Sequence, residues 1–134
     1  MTKERKRLVK NLDTLSRKIL LIRDRRPGDM FRCISCRRLL PLNVAQVTHY
    51  ISRRYESVRW NLNNIHLGCP HCNNWLAGNP IEYRKSLIEK YGEDEVNHLE
   101  SIYRVPPKYT EFDLGLLVKE YQGILKGYKT EEQA

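Results

Sequence analysis

Four cysteines are the residues whose type and spacing predict chemistry most directly. They form two Cys-x-x-Cys pairs, Cys33/Cys36 and Cys69/Cys72, with 32 residues between the pairs. One such pair could be a redox motif, but two pairs can supply the four thiolates that hold a structural Zn²⁺ in a tetrahedron. Zinc knuckles are usually separated by roughly 12–20 residues, so we expect a structural zinc centre with an insertion between its two halves.

The distribution of charge favours a nucleic-acid partner. The chain has 24 Lys and Arg against 16 Asp and Glu, a net charge of +8. Residues 1–66 contain 16 basic and 5 acidic side chains, whereas residues 67–134 contain 8 and 11. Such segregation is typical of an anion-binding face, although a solvated basic surface would show the same pattern.

Membrane and secreted proteins do not fit the sequence. No segment approaches the ~18 apolar residues of a membrane span, and the basic N-terminus is not followed by the apolar stretch of a secretion signal. We therefore expect a protein of the reducing cytoplasm, where disulfides between these cysteines are unfavourable, and no membrane partner.

Apolar periodicity predicts helices towards both ends of the chain. We expect a basic helix over residues 3–26, ended by Pro27-Gly28, a second over 93–102, and a last one that begins near Thr110, after a break at Pro106-Pro107. The first helix could pack on the domain or mediate self-association. The expected buried stripes are Leu8, Leu12, Leu15, Ile19 and Ile22 in the first helix and Leu114, Leu117, Val118, Tyr121, Ile124 and Leu125 in the last.

Short strands and loops are expected around the cysteines. We expect strands within 31–48 and over 64–68, joined by a polar loop over 52–63. After Cys72, Asn73 could cap a short helix ending at Gly78, and Asn79-Pro80 should begin another, with Ile81, Leu87 and Ile88 facing inward. The expected fold class is α+β, in one domain of modest size, with an N-terminal helix (1–28), a zinc-held ββα core (29–80) and a C-terminal helical region packed on it (81–134).

This order of strand, loop, strand and helix resembles the HNH, or ββα-metal, endonucleases, in the version with two zinc knuckles typified by endonuclease VII. A more specific set of motifs runs over roughly residues 12–100: Leu21-Ile22-Arg23-Asp24-Arg25, Cys33-Ile34-Ser35-Cys36, His49-Tyr50-Ile51-x-Arg53, Asn64-Ile65-His66, Cys69-x-x-Cys72-Asn73 and Gly78-Asn79-x-x-x-Tyr83-Arg84. This set, in this order, is similar to the NinG/Rap family of lambdoid-phage recombination endonucleases.

The resemblance implies a His-Me-finger core that hydrolyses phosphodiesters in branched recombination intermediates (a Holliday junction, D-loop or fork) with a catalytic Mg²⁺ or Mn²⁺ separate from the zinc. His49 would be the general base, a role that suits the ordinary imidazole pKa near 6.5. Asn64 would order the loop and Asn73 would bind the metal, while His66 could face the same metal or phosphate. The resemblance also implies a bacterial or phage-encoded, nucleoid-associated protein.

Two positions depart from the patterns of related nucleases. Those nucleases often have an acidic ligand directly before the catalytic histidine, and NinG-like sequences tend to have Asp or His three residues before it. Here these positions are Thr48 and Gln46, whose neutral oxygens would hold Mg²⁺ more weakly than a carboxylate. The alternative function is therefore a catalytically silent, zinc-stabilised DNA-binding module.

Basic and aromatic side chains of the core form the expected DNA surface. Arginines would neutralise phosphates, and aromatic rings could stack on an exposed base. The alternative is that Trp60 and Tyr50 close the small core. Recognition of two duplex arms would suit a homodimer. The predicted DNA-binding residues are Arg37, Arg38, Arg53, Arg54, Arg59, Tyr55 and Trp60.

Overall fold

The helices at the two ends of the chain form one of two compact units. In this computed structural model, which describes residues 1–106 and 109–133 and side chains through residue 130, α1 spans Lys3–Arg23 and α5 spans Glu111–Gln133. Thr2 hydrogen-bonds the Glu111 carboxylate, and the Arg5 guanidinium donates to the Tyr109 carbonyl oxygen at 2.7 Å. Because the two N-termini meet and the helices pack along their length, α1 and α5 run parallel.

The apolar stripes predicted for these helices are largely buried. The stripe of α1 is confirmed except at Ile22, which is half-buried, and in α5 Leu117 and Ile124 are likewise half-buried. Thr110 and Asp113 exchange backbone-to-side-chain hydrogen bonds of 3.0 and 3.1 Å, which cap the start of α5. α1 ends at Arg23 rather than at residue 26, because Arg26 already pairs with Met30 as an isolated bridge.

The second unit, Asp24–Pro106, contains the cysteines and two antiparallel hairpins. β1 (Met30–Arg32) pairs with β2 (Leu39–Pro41), and the first cysteine pair lies in the turn between them. β3 (Gln46–His49) pairs with β4 (Ile65–Gly68), with His49 opposite Ile65.

Helices complete this second unit. A single π-helical turn, His71–Trp75, follows β4, and α3 (Pro80–Tyr91) and α4 (Glu93–Ile102) come next. The predicted limits of α4 are confirmed, and the break at Pro106-Pro107 lies partly outside the described residues. One core cluster joins the first knuckle to these helices and consists of Ile34, Tyr83, Leu87 and Val96.

Several local predictions were wrong. The 52–63 loop contains a one-turn helix, α2 (Glu56–Arg59). Of the two alternatives for Trp60 at its end, burial in the core is confirmed, since this side chain is only 3% exposed. Ile81 is 73% exposed rather than inward-facing. Asn79 precedes α3 in a left-handed conformation, and its side chain makes no capping hydrogen bond.

The α+β class is confirmed, with mixed helices and small antiparallel sheets. The boundaries expected at residues 28 and 80 do not coincide with the two compact units, since α1 joins α5, and α3 and α4 belong with the hairpins. Within the described residues, no helix has the length and apolar character needed to cross a bilayer.

Candidate functional site

The four cysteine sulfurs converge on one point. Their Sγ atoms all lie within 4.8 Å of one another, and the Cys36 and Cys69 sulfurs are 3.9 Å apart. A tetrahedral Zn²⁺ with Zn–S bonds of about 2.3 Å separates its sulfurs by about 3.8 Å. The cluster therefore fits a four-thiolate metal such as zinc, and it is the one group of this kind among the described His, Cys, Asp and Glu residues.

Backbone geometry fixes both halves of the cluster. In the first knuckle, the Cys33 N–H donates to the Arg38 carbonyl at 3.0 Å and the Arg37 N–H donates to the Cys33 carbonyl at 2.9 Å, with Arg37 at φ 65°. In the second knuckle, the Cys72 N–H points at the Cys69 sulfur at 3.4 Å. Such N–H donors stabilise thiolate charge, which favours metal binding.

The charges of the thiols depend on burial and on their neighbours. Burial raises the pKa of the Cys72 thiol to about 12. Burial acts in the same direction at Cys69, but hydrogen bonds, first from the Cys72 backbone, outweigh it and lower the pKa of that thiol to about 7. Hydrogen bonds to Cys36 and then to Cys69 raise the pKa of the Arg38 guanidinium. Arg38 thus offsets the negative charge that a four-thiolate centre would carry.

Asn64 connects the start of β4 to the loop that precedes it. Its side chain is fully buried, and its Oδ1 accepts from the Ile51 N–H at 2.8 Å. Its Nδ2 donates to the carbonyl oxygens of Ile51 at 3.0 Å and Val58 at 3.1 Å. These three bonds hold α2 and the preceding loop against the β3–β4 hairpin.

His49 lies at the end of β3 and is half-buried. Its Nε2 is 3.1 Å from the Arg59 carbonyl oxygen, at the end of α2. A carbonyl can only accept a hydrogen bond, so this contact assigns the proton to Nε2 and leaves the lone pair on Nδ1. This is the tautomer in which Nδ1 can accept a proton.

His66 occupies a different environment from His49. It is 1% exposed, with Nδ1 3.0 Å from the Tyr83 hydroxyl and Nε2 2.8 Å from the Tyr91 hydroxyl. The Tyr83 hydroxyl in turn donates to the Thr48 carbonyl at 2.9 Å. His66 therefore belongs to a buried network that attaches α3 to the hairpin, and both of its nitrogens are directed at tyrosines rather than towards a phosphate or metal.

The three residues expected to bind a catalytic metal lie on one side of β3. Asn73 Nδ2 donates to Gln46 Oε1 at 2.8 Å, so the structure brings these two amides together. Thr48 shares the strand face of Gln46, and its buried hydroxyl makes no hydrogen bond to any described residue. Strand alternation puts His49 on the opposite face, and three residues of strand separate the Gln46 and His49 backbones by about 10 Å.

The predicted DNA-binding residues differ in how free their charges and rings are. Arg37 donates to Ser86 and pairs with Glu89 at 3.0 Å, and Arg38 contacts the thiols. Arg53 is exposed and makes no ion pair with a described residue. The others are partly engaged by aromatic rings: Arg54 lies 5.1 Å from the Tyr55 ring centre, Tyr55 packs edge-on against Tyr103, and Arg59 lies 5.7 Å from the Trp60 ring centre.

Sequence reasoning missed the side chains that most affect this region. Tyr83 and Tyr91 hold His66, and although their spacing of eight residues puts them on the same side of α3, nothing in the sequence pairs that side with His66. Trp75 is 81% exposed directly after the second knuckle. Its position in a five-residue turn gives no periodicity from which exposure could be predicted.

Comparison with known proteins identifies the family of the chain. A family model described as "Bacteriophage Lambda NinG protein" matches residues 1–132. Protein ninG of Escherichia phage lambda and protein ninG of Salmonella phage P22 are each 31% identical to the chain over 94 residues. These alignments cover 70% of this chain but 46% of each relative, so the chain spans about half the length of the curated relatives it matches. No solved structure matches. Since the family model covers nearly every residue, the chain belongs to the NinG family of lambdoid phages.

Proposed function

We propose that the protein is a metal-dependent endonuclease that hydrolyses phosphodiesters in branched DNA, with His49 as general base. The observation that carries this proposal is the bond from His49 Nε2 to the Arg59 carbonyl, because it selects the tautomer with the basic lone pair on Nδ1. Resemblance to the ββα-metal nucleases supports the choice of reaction, and the basic half of the chain supports the choice of substrate.

Asn64 would act through His49 as a positioning residue. It binds the Val58 carbonyl, and the next residue, Arg59, supplies the carbonyl that orients the imidazole. The two hydrogen bonds form a continuous path from β4 through α2 to the end of β3. The imidazole is held by its backbone in β3 and by its Nε2 hydrogen bond. Its orientation is therefore fixed before it takes a proton from water, which lowers the entropic cost of that step.

Gln46 and Asn73 are the candidate ligands of the divalent ion. Their side-chain amides already meet at 2.8 Å, and rotation of the Asn73 amide would direct two oxygens at one point. A bound Mg²⁺ or Mn²⁺ would supply charge relief to the scissile phosphate and to the leaving oxygen. Both donors are neutral, so we expect weak affinity for the ion.

The test is cleavage of labelled four-way junction, fork, flap and linear duplex DNA by zinc-loaded protein with Mg²⁺, Mn²⁺ or no added divalent ion. We expect metal-dependent cutting of the branched substrates. His49→Gln keeps a side-chain N–H donor for the Arg59 carbonyl but has no base, and it should cut about 100-fold or more slowly. His98→Ala, an exposed histidine of α4, is the matched control. Equal cutting by His49→Gln and wild type would remove His49 from the mechanism.

A second candidate is a DNA-binding module that does not cut. Two observations favour it: the Gln46 and Asn73 amides satisfy each other, and they lie on the strand face opposite His49. In this case the wild type binds branched DNA without cutting it under any ion. Gln46→Asp would then introduce the missing carboxylate. Mn²⁺-dependent cutting in this variant, but not in Asn43→Asp in the 3-10 turn Leu42–Val44 that precedes β3, would identify a lost metal site.

A further inference from the structure

The turn after the second knuckle presents apolar side chains to solvent. Trp75 is 81% exposed, and Leu76 beside it is 44% exposed. Among residues 24–106, all of which the structure describes, every other Phe, Tyr and Trp is buried or half-buried. Trp75 is therefore the aromatic ring of this unit that is available to a ligand, in place of Tyr55 and Trp60, which contact Tyr103 and the core.

The backbone around Trp75 is held firmly despite this exposure. The Gly78 N–H donates to the Cys72 carbonyl at 2.8 Å, and the Ser35 hydroxyl donates to the Gly78 carbonyl at 2.8 Å. Ala77 and Asn79, on either side of Gly78, both have left-handed φ values, 50° and 53°. Such conformations are unfavourable for residues with a Cβ, and they persist where surrounding contacts impose them, often at ligand-binding positions.

The charge of the sequence around Trp75 favours an anionic ligand. Residues 24–75 contain eight basic and three acidic side chains, and the acidic residue nearest to Trp75 in sequence is Glu82, seven positions away. Trp75 also lies in the same turn as Asn73, which contacts Gln46. Side chains two residues apart on a helical turn point in different directions, so the indole offers a surface separate from the Gln46–Asn73 pair.

We propose that Trp75 is a stacking platform for an unpaired DNA base beside the branch point. This inference rests on the proposed function in taking DNA as the ligand, but it does not require that the protein cuts DNA. An exposed indole on a hydrogen-bonded turn suits a base whose backbone is anionic, because every base offers a face for stacking and this part of the sequence has more basic than acidic residues. Fully paired DNA keeps its bases stacked within the duplex and gains nothing from this ring.

The test is binding of the zinc-loaded full chain, with no added Mg²⁺ or Mn²⁺, to two labelled DNAs that differ only in three unpaired nucleotides at the branch. Trp75→Ala should weaken binding of the DNA with unpaired bases about 10-fold, and binding of the fully paired DNA should not change. Trp75→Phe should restore most of the loss. Phe112→Ala, which removes an aromatic side chain that is 74% exposed in the other unit, is the matched control.

Tryptophan fluorescence gives an independent reading. The chain has two tryptophans, and Trp60 is buried, so quenching by an oligonucleotide should occur in the wild type and disappear in Trp75→Phe. The proposal is overturned if Trp75→Ala binds both DNAs like the wild type, if it loses both equally, or if the substitution instead converts a dimer to a monomer in sedimentation. Because no step of this assay requires cutting, an inactive His49 leaves the result unaffected, and normal cutting by Trp75→Ala would leave the nuclease proposal intact.

Discussion

The four cysteines can bind a metal ion only as a group, because each of them supplies one of the four sulfur ligands. Cys33, Cys69 and Cys72 are buried, and a buried thiol cluster with no metal would leave repulsive thiolates or poorly bonded thiols in the core. Zinc binding removes this cost and at the same time ties the β1–β2 turn to the turn after β4. The cluster thus connects chain segments that no continuous strand joins.

Cys69→Ser is the sharpest test of this centre. We expect the variant to lose the metal and to unfold the hairpin unit at room temperature, since structural zinc contributes about 10 kcal/mol or more in small zinc domains, comparable to the whole stability of a domain. Metal content by mass spectrometry and thermal unfolding by circular dichroism are the measurements. His71→Ala, an exposed residue of the same knuckle, should keep one zinc. Stable folding of Cys69→Ser without metal would contradict a structural zinc site.

Prediction from sequence succeeded for individual residues whose spacing along the chain determines which residues they can meet. The cysteine spacing was sufficient to predict that the four thiols converge, because two Cys-x-x-Cys pairs are a usual ligand pattern of structural zinc. The surroundings of His66 could not be predicted in this way. Strand alternation predicts which face of the sheet carries a histidine, but it does not predict which side chains lie against that face. Tyr83 and Tyr91 contact His66 from α3, which is distant in sequence.

At the scale of elements, the close approach of β3 and β4 depends on a glycine. A Cβ at Gly68 would lie 2.8 Å from Thr48 Cγ2 and 3.3 Å from Thr48 Cβ, well inside contact distance. Thr48 is buried on the same face as Gln46. The hairpin therefore achieves its packing by omitting one side chain and burying another directly over it.

Gly68→Ala should destabilise the zinc-loaded protein by about 1–3 kcal/mol, because Thr48 is buried and has little room to move. The measurement is chemical denaturation followed by circular dichroism. Adding Thr48→Ser removes Cγ2 and should recover part of the loss. Gly123→Ala in α5, where an added Cβ meets nothing within 4 Å, should instead be neutral or stabilising by up to about 1 kcal/mol. Equal destabilisation by both glycine substitutions would exclude the steric explanation.

Element prediction succeeded in proportion to length. The long helices α1 and α5 show enough turns for their apolar stripes to emerge from the sequence, and α4 has its limits marked by Gly92 and the acidic first turn. α2 has only four residues, too few for a helical period, so the sequence left open whether Trp60 at its end is exposed or closes the core. Ile81 lies in the first turn of α3, where too few residues precede it for the spacing of apolar residues to indicate the buried face.

At the scale of the whole molecule, some positive charges are already paired with groups of the protein, and others remain available to bind phosphates. Five of the seven predicted DNA-binding residues are arginines, and the structure separates them. Arg37 is paired with Glu89, and Arg38 lies beside the cysteine thiols, so both already have local functions. Arg53 is exposed without an ion pair among the described residues. Net charge therefore overstates the number of arginines that can release counterions from DNA.

The salt dependence of DNA binding tests this division. Each phosphate neutralised contributes about 0.9 to the slope of log affinity against log salt concentration. Arg53→Ala should therefore weaken binding of junction DNA and reduce the slope by about one.

Arg37→Ala removes the same formal charge, but it also frees Glu89. We expect a smaller change of slope together with lower stability, because the bonds to Ser86 and Glu89 are lost. The measurements are fluorescence anisotropy titrations at several salt concentrations and thermal unfolding of both variants. A larger slope change in Arg37→Ala than in Arg53→Ala would place the DNA-binding face on the knuckle side of the hairpin unit rather than on the loop that carries Arg53.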